Sequence, residues 1–169
     1  MGDVNLFGEN WDEQRTRLGY TWRRRALRRP LGIELLGASL YELPRGQATW
    51  PYHWHWANEE LLIVVAGALT LRTPEGEREL ATGDVVAFPR GPGGAHRIRN
   101  RSDATARILI VSTMLHPEIA EYPDSGKLVV AAGAPPTPGE EAPLELLFRK
   151  ESAVHYWDGE TAEVTEAAP

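Results

Sequence analysis

The chain has no cysteine among its 169 residues, so disulfides, thiolate metal ligands and cysteine nucleophiles are all excluded. It also has no long hydrophobic run: stretches such as residues 61–71 fall far short of the roughly 20 residues that cross a bilayer. The N-terminus is polar and has no signal-peptide hydrophobic segment. Positive charge is in deficit, with a net charge of −6 and a pI of about 5.4. We therefore expect a cytoplasmic protein that binds neither nucleic acid nor a membrane.

What the chain does have is a series of short strand patterns separated by turn signals. A chain of 169 residues is long enough for one domain with a sizeable core. Alternating or apolar runs rich in β-branched residues predict strands. The predicted strands cover residues 33–43, 52–56, 60–65, 68–73, 78–81, 84–89, 95–100 and 104–114. Strands of this length and spacing, without a long helical period, indicate an all-β sandwich or barrel.

Three histidines and one glutamate lie within these strand patterns. His53 and His55 are two positions apart, so on a strand both side chains project from the same face, roughly 7 Å apart. Glu60 follows on the next predicted strand, and His96 comes later in the chain. Imidazole and carboxylate groups bind divalent transition metals at about 2.0–2.2 Å. The pattern predicts a metal site made of three histidines and one carboxylate.

These segments resemble the two sequence motifs of the cupin superfamily. The first motif matches Gly46, His53, His55, Glu60 and Gly67, with one extra residue after the first glycine. The second matches Gly83, Pro89, Gly91, His96 and Asn100, with a Pro-Gly-Gly expansion that leaves four residues instead of two before His96. The resemblance implies a cupin-type jelly-roll barrel that binds one divalent metal through His53, His55, Glu60 and His96. The motif spacing to Gly67 selects Glu60 over Glu59, which would face the other way.

Beyond the motifs, the chain resembles small bacterial single-domain cupins whose function we do not know to be established. The phrases that carry this likeness are residues 39–46, 122–127 and 156–160. On this basis we expect four parts: an N-terminal arm with strands that packs on the barrel (1–32), the cupin barrel (33–115), a C-terminal extension (116–160) that includes a proline-rich linker (133–143), and a disordered tail (161–169).

Aromatic residues alternate with the first two histidines. If the histidines point inward, the outer face of that strand carries Trp50, Tyr52, Trp54 and Trp56. An exposed aromatic strip is unfavourable for a monomer. We expect it to be covered by the N-terminal segment or by a second subunit, and we predict a homodimer. A ligand-binding platform is the alternative.

A basic run stands out in this acidic chain, at Arg23, Arg24, Arg25, Arg28 and Arg29. We interpret it as alternating charge on an edge strand that pairs with acidic neighbours; a clamp for an anionic substrate or a nucleic-acid arm is the alternative. His116 and His155 lie outside any ligand spacing, and we expect both to be solvated or ordinarily hydrogen-bonded.

The predicted metal site leaves two function classes open. Four protein ligands on an octahedral ion leave two positions for water, dioxygen or a small oxygenated substrate. Leu62, Val64 and Ile98 would make the surrounding pocket apolar. Iron, manganese, nickel, zinc and copper all suit these ligands.

The first class is a metal-dependent enzyme, either an oxygenase (an oxidoreductase) or an isomerase or lyase. The second is a non-catalytic cupin that senses or stores a small ligand. A cupin barrel without metal, whose polar residues satisfy each other, is a further alternative. No Gly-x-Ser-x-Gly pattern is present, so no covalent nucleophile is expected, and no catalytic residue can be assigned.

Overall fold

The computed structural model describes residues 2–133 and 143–162. These residues form short strands with very little helix, so the all-β prediction is confirmed. The strands are β1 (Glu13–Arg15), β2 (Trp22–Ala26), β3 (Leu36–Leu43), β4 (Trp54–His55), β5 (Glu60–Ala66), β6 (Ala68–Thr73), β7 (Gly76–Ala81), β8 (Val85–Phe88), β9 (Arg97–Arg99), β10 (Ala106–Thr113), β11 (Glu118–Tyr122), β12 (Lys127–Ala131) and β13 (Glu145–Arg149). The one α-helical turn is α1 (Arg28–Leu31), and 3-10 turns span Pro92–Gly94, Pro123–Ser125 and Lys150–Ser152.

The strands form two curved layers of antiparallel sheet. One layer is a six-stranded sheet in the order β1-β2-β3-β10-β5-β8. The other contains a four-stranded sheet, β13-β12-β11-β4, and a three-stranded sheet, β7-β6-β9. An isolated antiparallel bridge between His53 and His96 joins these two sheets. The result is the jelly-roll arrangement that the sequence predicted.

The core lies between the two layers and follows the strand periodicity of two. On β5, Leu62 and Val64 are 0% and 1% exposed, and the opposite layer meets them with Leu71 and Ile98 at 0% and 1%. Glu60 begins β5 on the same face as Leu62 and Val64, because side chains two apart share a face. This strand therefore directs its carboxylate toward the interior.

The N-terminal strands extend the six-stranded sheet, because β2 pairs with β3. Trp22 is buried in the core, and its Nε1 donates to the Thr49 carbonyl at 3.1 Å. The interpretation of the basic run needs correction: the edge strand is β1, β2 lies inside the sheet, and the run continues into α1. Pairing with acidic neighbours is found nonetheless, since Arg23 binds Glu42 and Arg24 lies 3.1 Å from Glu13.

The aromatic strip is mostly covered by the chain itself. Tyr52 and Trp54 are 8% and 5% exposed and pack with Ala95. Trp50 packs edge-on against Trp22, 5.4 Å away, under the N-terminal segment. Only Trp56 remains open, at 53% exposure. The strip is therefore not an exposed surface that calls for a second subunit.

The C-terminal extension contributes β11, β12 and β13 to the four-stranded sheet. Most of the predicted proline-rich linker and of the predicted tail lies outside the described residues, so both stay predictions, as do the predicted domain boundaries. In the part of the chain that the structure describes, no helix has the length and hydrophobicity needed to span a membrane.

Candidate metal centre

The backbones of two predicted ligands pair directly with each other where the two sheets meet. His53 N donates to His96 O at 3.1 Å, and His96 N donates to His53 O at 2.9 Å. Because directly opposed residues of an antiparallel pair project to the same side, the two rings lie close, with centroids 4.7 Å apart. Strand pairing thus brings together two histidines that are far apart in sequence.

Glu60 completes a tight group with these two histidines. One ligand atom from each of His53, Glu60 and His96 lies within 4.8 Å of the others. The His96 Nε2 and Glu60 Oε2 atoms are 3.2 Å apart. Neighbouring ligands bound at about 2.1 Å to one ion are roughly 3 Å apart. The spacing of this pair therefore fits a shared metal ion.

Backbone carbonyls fix the tautomers of both buried histidines. The Nδ1 atoms of His53 and His96 lie 2.9 Å from the carbonyl oxygens of Pro51 and Gly94. A carbonyl oxygen only accepts, so Nδ1 carries the proton in each ring and Nε2 presents its lone pair. A carbonyl that holds the far nitrogen in this way is the usual second partner of a metal-binding histidine.

The electrostatics of the group also suit a cation. Burial, together with the neighbouring His96 and His55 rings, lowers the pKa of His53 to about 3, so this ring is neutral at physiological pH. Burial alone would raise the pKa of Glu60, but His55 and His96 together hold it well below its usual value. An ionised oxygen and an imidazole lone pair 3.2 Å apart repel each other unless a proton or a metal ion lies between them. The donor set therefore fits a divalent transition metal.

His55 stands at the margin of this group. It is not a member of the tight set of three, but its Nε2 lies 3.5 Å from Glu60 Oε2. Both of its ring nitrogens are buried without a hydrogen-bond partner among the described residues. Burial works to lower the pKa of His55, yet the carboxylates of Glu118 and Glu60 outweigh it and raise the pKa to about 9. A buried Nε2 3.5 Å from Glu60 is placed to become a fourth ligand when a metal ion displaces its proton.

Glu118 is one of the side chains at the site that the sequence reasoning missed. It begins β11, and its Oε1 lies 3.8 Å from His55 Nδ1. The same oxygen accepts hydrogen bonds from the backbone N–H groups of Trp56 and Ala57, at 3.1 and 3.4 Å, and Asn58 donates to its Oε2. These contacts hold a carboxylate behind His55. No signal in the sequence connects the two, because only the pairing of β11 with β4 brings them together.

The Pro-Gly-Gly expansion of the second motif has a structural role. Pro92–Gly94 forms a 3-10 turn, and the Gly94 carbonyl is the partner of His96 Nδ1. A Cβ at Gly94 would lie only 1.7 Å from the Pro89 oxygen, so no larger residue fits. The expansion therefore orients His96.

Two aromatic rings pack against the histidines. Phe88 stacks on His96 with ring centroids 3.8 Å apart, and Tyr122 stacks on His53 at 5.5 Å. Burial raises the pKa of Tyr122, and the negative charges of Glu145 and Glu60 add to that effect. The Tyr122 phenol is therefore protonated, and a hydrogen-bond donor, at neutral pH.

The site opens to solvent on the side of His55 and Glu60, whose side chains are 19% and 15% exposed. Leu62, Val64 and Ile98 do not line an open pocket, although the sequence predicted that they would. They are almost completely buried and form the barrel core beneath the polar group. The remaining histidines, His116 and His155, are exposed and lie outside the group, as predicted.

Comparison with known proteins finds the same fold and a cupin domain within the chain. The cupin domain family matches residues 39–112. A sugar phosphate isomerase of the cupin superfamily from Silicibacter pomeroyi has 29% identity and a TM-score of 0.68, with 81% of this chain and 82% of that chain covered. A candidate sugar phosphate isomerase from Acidithiobacillus ferrooxidans has 25% identity and the same TM-score of 0.68, with 81% of each chain covered. The polyketide cyclase RemF from Streptomyces resistomycificus shares the fold at 22% identity and a TM-score of 0.56, covering 67% of this chain and 79% of that one. No curated protein matches the chain.

Proposed function

We propose, from the cupin domain at residues 39–112 and the similar solved structures, that the chain is a metal-dependent isomerase of small phosphorylated sugars. In this proposal one divalent transition metal is held by His53, His55, Glu60 and His96. We further propose that the protein acts in the cytoplasm as a homodimer.

The observation that carries the metal assignment is the His96–Glu60 contact. Its two ligand atoms lie 3.2 Å apart in a nearly closed environment, with His96 3% exposed. The Gly94 carbonyl holds His96 through Nδ1, so Nε2 faces the carboxylate of Glu60 and a metal ion would fit between the two atoms. His53 and His55 lie around the same carboxylate, which gives the ion further nitrogen ligands.

Two half-buried basic side chains near Tyr122 support the proposal of an anionic substrate. Lys127 Nζ lies 5.4 Å from the centre of the Tyr122 ring, and the positive charge of Arg15 acts on the same phenol. Neither cation forms an ion pair with a carboxylate among the described residues. The Arg15 guanidinium is held over Trp22 and Trp50, at 4.7 and 4.3 Å from the ring centres. Cations placed beside the site without an anionic partner suit a phosphate group.

The similar structures supply the reaction class. The proteins from Silicibacter pomeroyi and Acidithiobacillus ferrooxidans, named for sugar phosphate isomerisation, align with most of this chain. The interconversion of an aldose and a ketose moves one proton between adjacent carbons and one between their oxygens. It consumes no oxidant or reductant, so the site needs only to position the substrate and assist proton movement.

The chain's own residues divide this work. A bound metal ion would supply Lewis-acid polarisation of a carbonyl or hydroxyl oxygen. Tyr122 would donate a hydrogen bond to a substrate oxygen, and Arg15 and Lys127 would bind the phosphate. Glu118 would keep His55 in place, and the buried residues beneath the site would exclude water.

The test is an assay of protein that has been stripped of metal and then reloaded with iron, manganese, nickel, zinc or copper in turn. We expect the interconversion of at least one aldose phosphate–ketose phosphate pair, followed by NMR, to vanish on chelation and to return with metal. Arg15→Gln should raise KM for that substrate and leave metal content unchanged, whereas the matched control Arg17→Gln, at an exposed position, should change neither.

A parallel panel of diketones, hydroxy acids and catechols under oxygen tests the oxygenase alternative. Turnover there, without sugar phosphate isomerisation, would replace the proposed reaction. Full activity in metal-free protein would remove the metal from the mechanism. Metal and ligand binding with no turnover of any compound in either panel would favour the sensing role.

A further inference from the structure

The C-terminal strand β13 carries an apolar surface that the barrel does not cover. Large apolar side chains between positions 144 and 157 are 39–81% exposed. They are Leu144, Leu146, Leu147, Phe148, Val154, Tyr156 and Trp157. The largest apolar patch on a soluble monomer measures about 300–600 Å². Leu146, Leu147 and Phe148 lie on β13 itself, and the other four flank it. Together the seven side chains expose on the order of 800 Å², spread over both faces of the strand and its flanks.

β13 is also the edge of its sheet. It pairs with β12 on one side, and no strand among residues 2–133 and 143–162 pairs with the other. Ala132 N donates to Leu144 O, and Lys150 N donates to Gly126 O, so the even-numbered residues direct their backbone groups toward β12. The odd-numbered residues Glu145, Leu147 and Arg149 therefore present theirs outward. An unpaired edge with an apolar centre is a template for pairing with another strand.

The sequence of β13 is complementary to itself. Glu145 and Arg149 stand at its two ends, with Leu147 at the centre. In an antiparallel pair with a second copy, centred on Leu147, each Glu145 lies opposite the partner copy's Arg149. Leu146 then lies opposite Phe148 on the other sheet face. All three outward-facing residues fall at hydrogen-bonded positions of that register, so every exposed backbone group between Glu145 and Arg149 is satisfied.

We propose that the chain forms its homodimer by two-fold antiparallel pairing of β13 with β13 of a second copy. This inference rests on the homodimer of the proposed function and identifies the surface through which the two copies would bind. It places the interface away from the aromatic strip of residues 50–56, two of whose members are buried within the chain. Such pairing is isologous, because the same surface serves both subunits and the assembly closes at two.

Pairing at β13 also extends the sheet that carries the site. Residues opposite each other share a face, so Tyr122, Lys127 and Arg149 form one row, and Ala120, Val129 and Leu147 form the next. This is the face from which Tyr122 contacts His53. The partner copy would therefore continue the sheet face that carries Tyr122.

The absence of cysteine provides a direct test by cross-linking. In Leu147→Cys the two introduced thiols would face each other across the two-fold axis, and paired positions of this type have Cα atoms about 5.5 Å apart, within the range for a disulfide. We expect rapid formation of a disulfide-linked dimer under mild oxidation. Asp103→Cys, at a site with a 90% exposed side chain in a distant turn, serves as the control and should cross-link only slowly.

Charge exchange tests the register. Glu145→Arg places like charges opposite each other at both ends of the pair, and sedimentation or light scattering should show at least a tenfold weaker dimer. The double variant Glu145→Arg, Arg149→Glu restores opposite charges and should recover dimerisation, which a merely misfolded hairpin would not do.

Three results would overturn the proposal. They are a monomeric mass of the native chain at micromolar concentration, equal cross-linking at positions 147 and 103, and a dimer that Glu145→Arg leaves unaffected. A monomer whose Leu147→Cys thiol resists alkylation would show that another segment of the same chain covers this edge. Metal content and isomerase turnover are measured separately on the same proteins, so failure of this interface is distinguishable from failure of the metal-dependent reaction.

Discussion

The two ends of the four-stranded sheet differ in how far their residues are buried and paired within the chain. At the β4 end, His53, His55 and Glu118 are half-buried or buried, and backbone groups hold the His53 ring and the Glu118 carboxylate. At the β13 end, all five residues from Glu145 to Arg149 are exposed, although three of them are apolar. In our proposals the first end binds an ion and the second binds another copy of the chain. Polar groups without a partner suggest the former, and exposed apolar groups suggest the latter.

The largest expected difference is between core and C-terminal substitutions in the free energy of unfolding. Leu62→Ala removes a side chain that is 0% exposed from the barrel core and should lower the free energy of unfolding by about 2–5 kcal/mol. Leu144→Ala, at a position 61% exposed, should change it by less than about 0.5 kcal/mol. Urea unfolding at submicromolar concentration, where association contributes least, measures both. Similar losses in the two variants would mean that the C-terminal region is part of the folding core.

The turn before His96 offers the next test. In Gly94→Ala the new methyl group would lie 1.7 Å from the Pro89 oxygen, so the backbone that orients His96 must move. We expect a destabilisation of about 1–3 kcal/mol and roughly tenfold or greater loss of metal affinity. Gly93→Ala is the matched control, because nothing lies within 4 Å of its Cβ position. Equal losses of stability and metal affinity in the two variants would mean that the turn does not orient His96 for the metal.

Glu118 should act through His55 and not as a ligand. Glu118→Gln keeps the shape of the side chain but removes the charge 3.8 Å from His55 Nδ1, so metal affinity should fall about 10–100-fold. Glu75→Gln, at an exposed site, should leave it unchanged. Competition with a chelating dye measures the affinity, and circular dichroism checks the fold. Unchanged affinity in Glu118→Gln would remove its positioning role.

The smallest effect is expected at the ion pair between β6 and the Pro123–Ser125 turn. Arg72 binds Asp124 through two contacts, at 2.6 and 2.9 Å, and lowers the pKa of that carboxyl. A lowered folded-state pKa stabilises the protein above the unfolded value of about 3.9 and loses its effect as pH falls through the folded value. Because Asp124 is 47% exposed, Asp124→Asn should lower stability by at most about 1 kcal/mol near pH 7.

The pH dependence provides the check on this ion pair. The difference between the native protein and Asp124→Asn should shrink below about pH 4. A difference that stays constant from pH 7 to pH 3 would assign the effect to something other than the ion pair.

The sequence was sufficient for the barrel strands β3 to β10 and for the local part of the site, but not for β1, β2, β11 and β12. A periodicity of two places His53 and His55 on one face and Glu60 on the face of Leu62, and neither inference needs knowledge of distant contacts. Glu118 and Tyr122 reach the site only through the pairing of β11 with β4 and through ring stacking, and neither leaves a local pattern. The burial of the aromatic strip could not be predicted for the same reason. Periodicity indicated which face of the strand carries these residues, but not which residues cover Tyr52 and Trp54. Burial depends on what packs against a face, which alternation alone does not specify.

The central claim is that the buried cluster where the two sheets meet holds a metal ion, and elemental analysis tests it most directly. Native protein and Glu59→Gln, whose side chain is exposed, should each contain about one divalent transition-metal ion per chain after purification and dialysis. His96→Ala and Glu60→Gln should retain less than roughly a tenth of that amount, with native circular dichroism. Equal metal content in all four proteins, or none in the native chain even after reconstitution, would contradict the account.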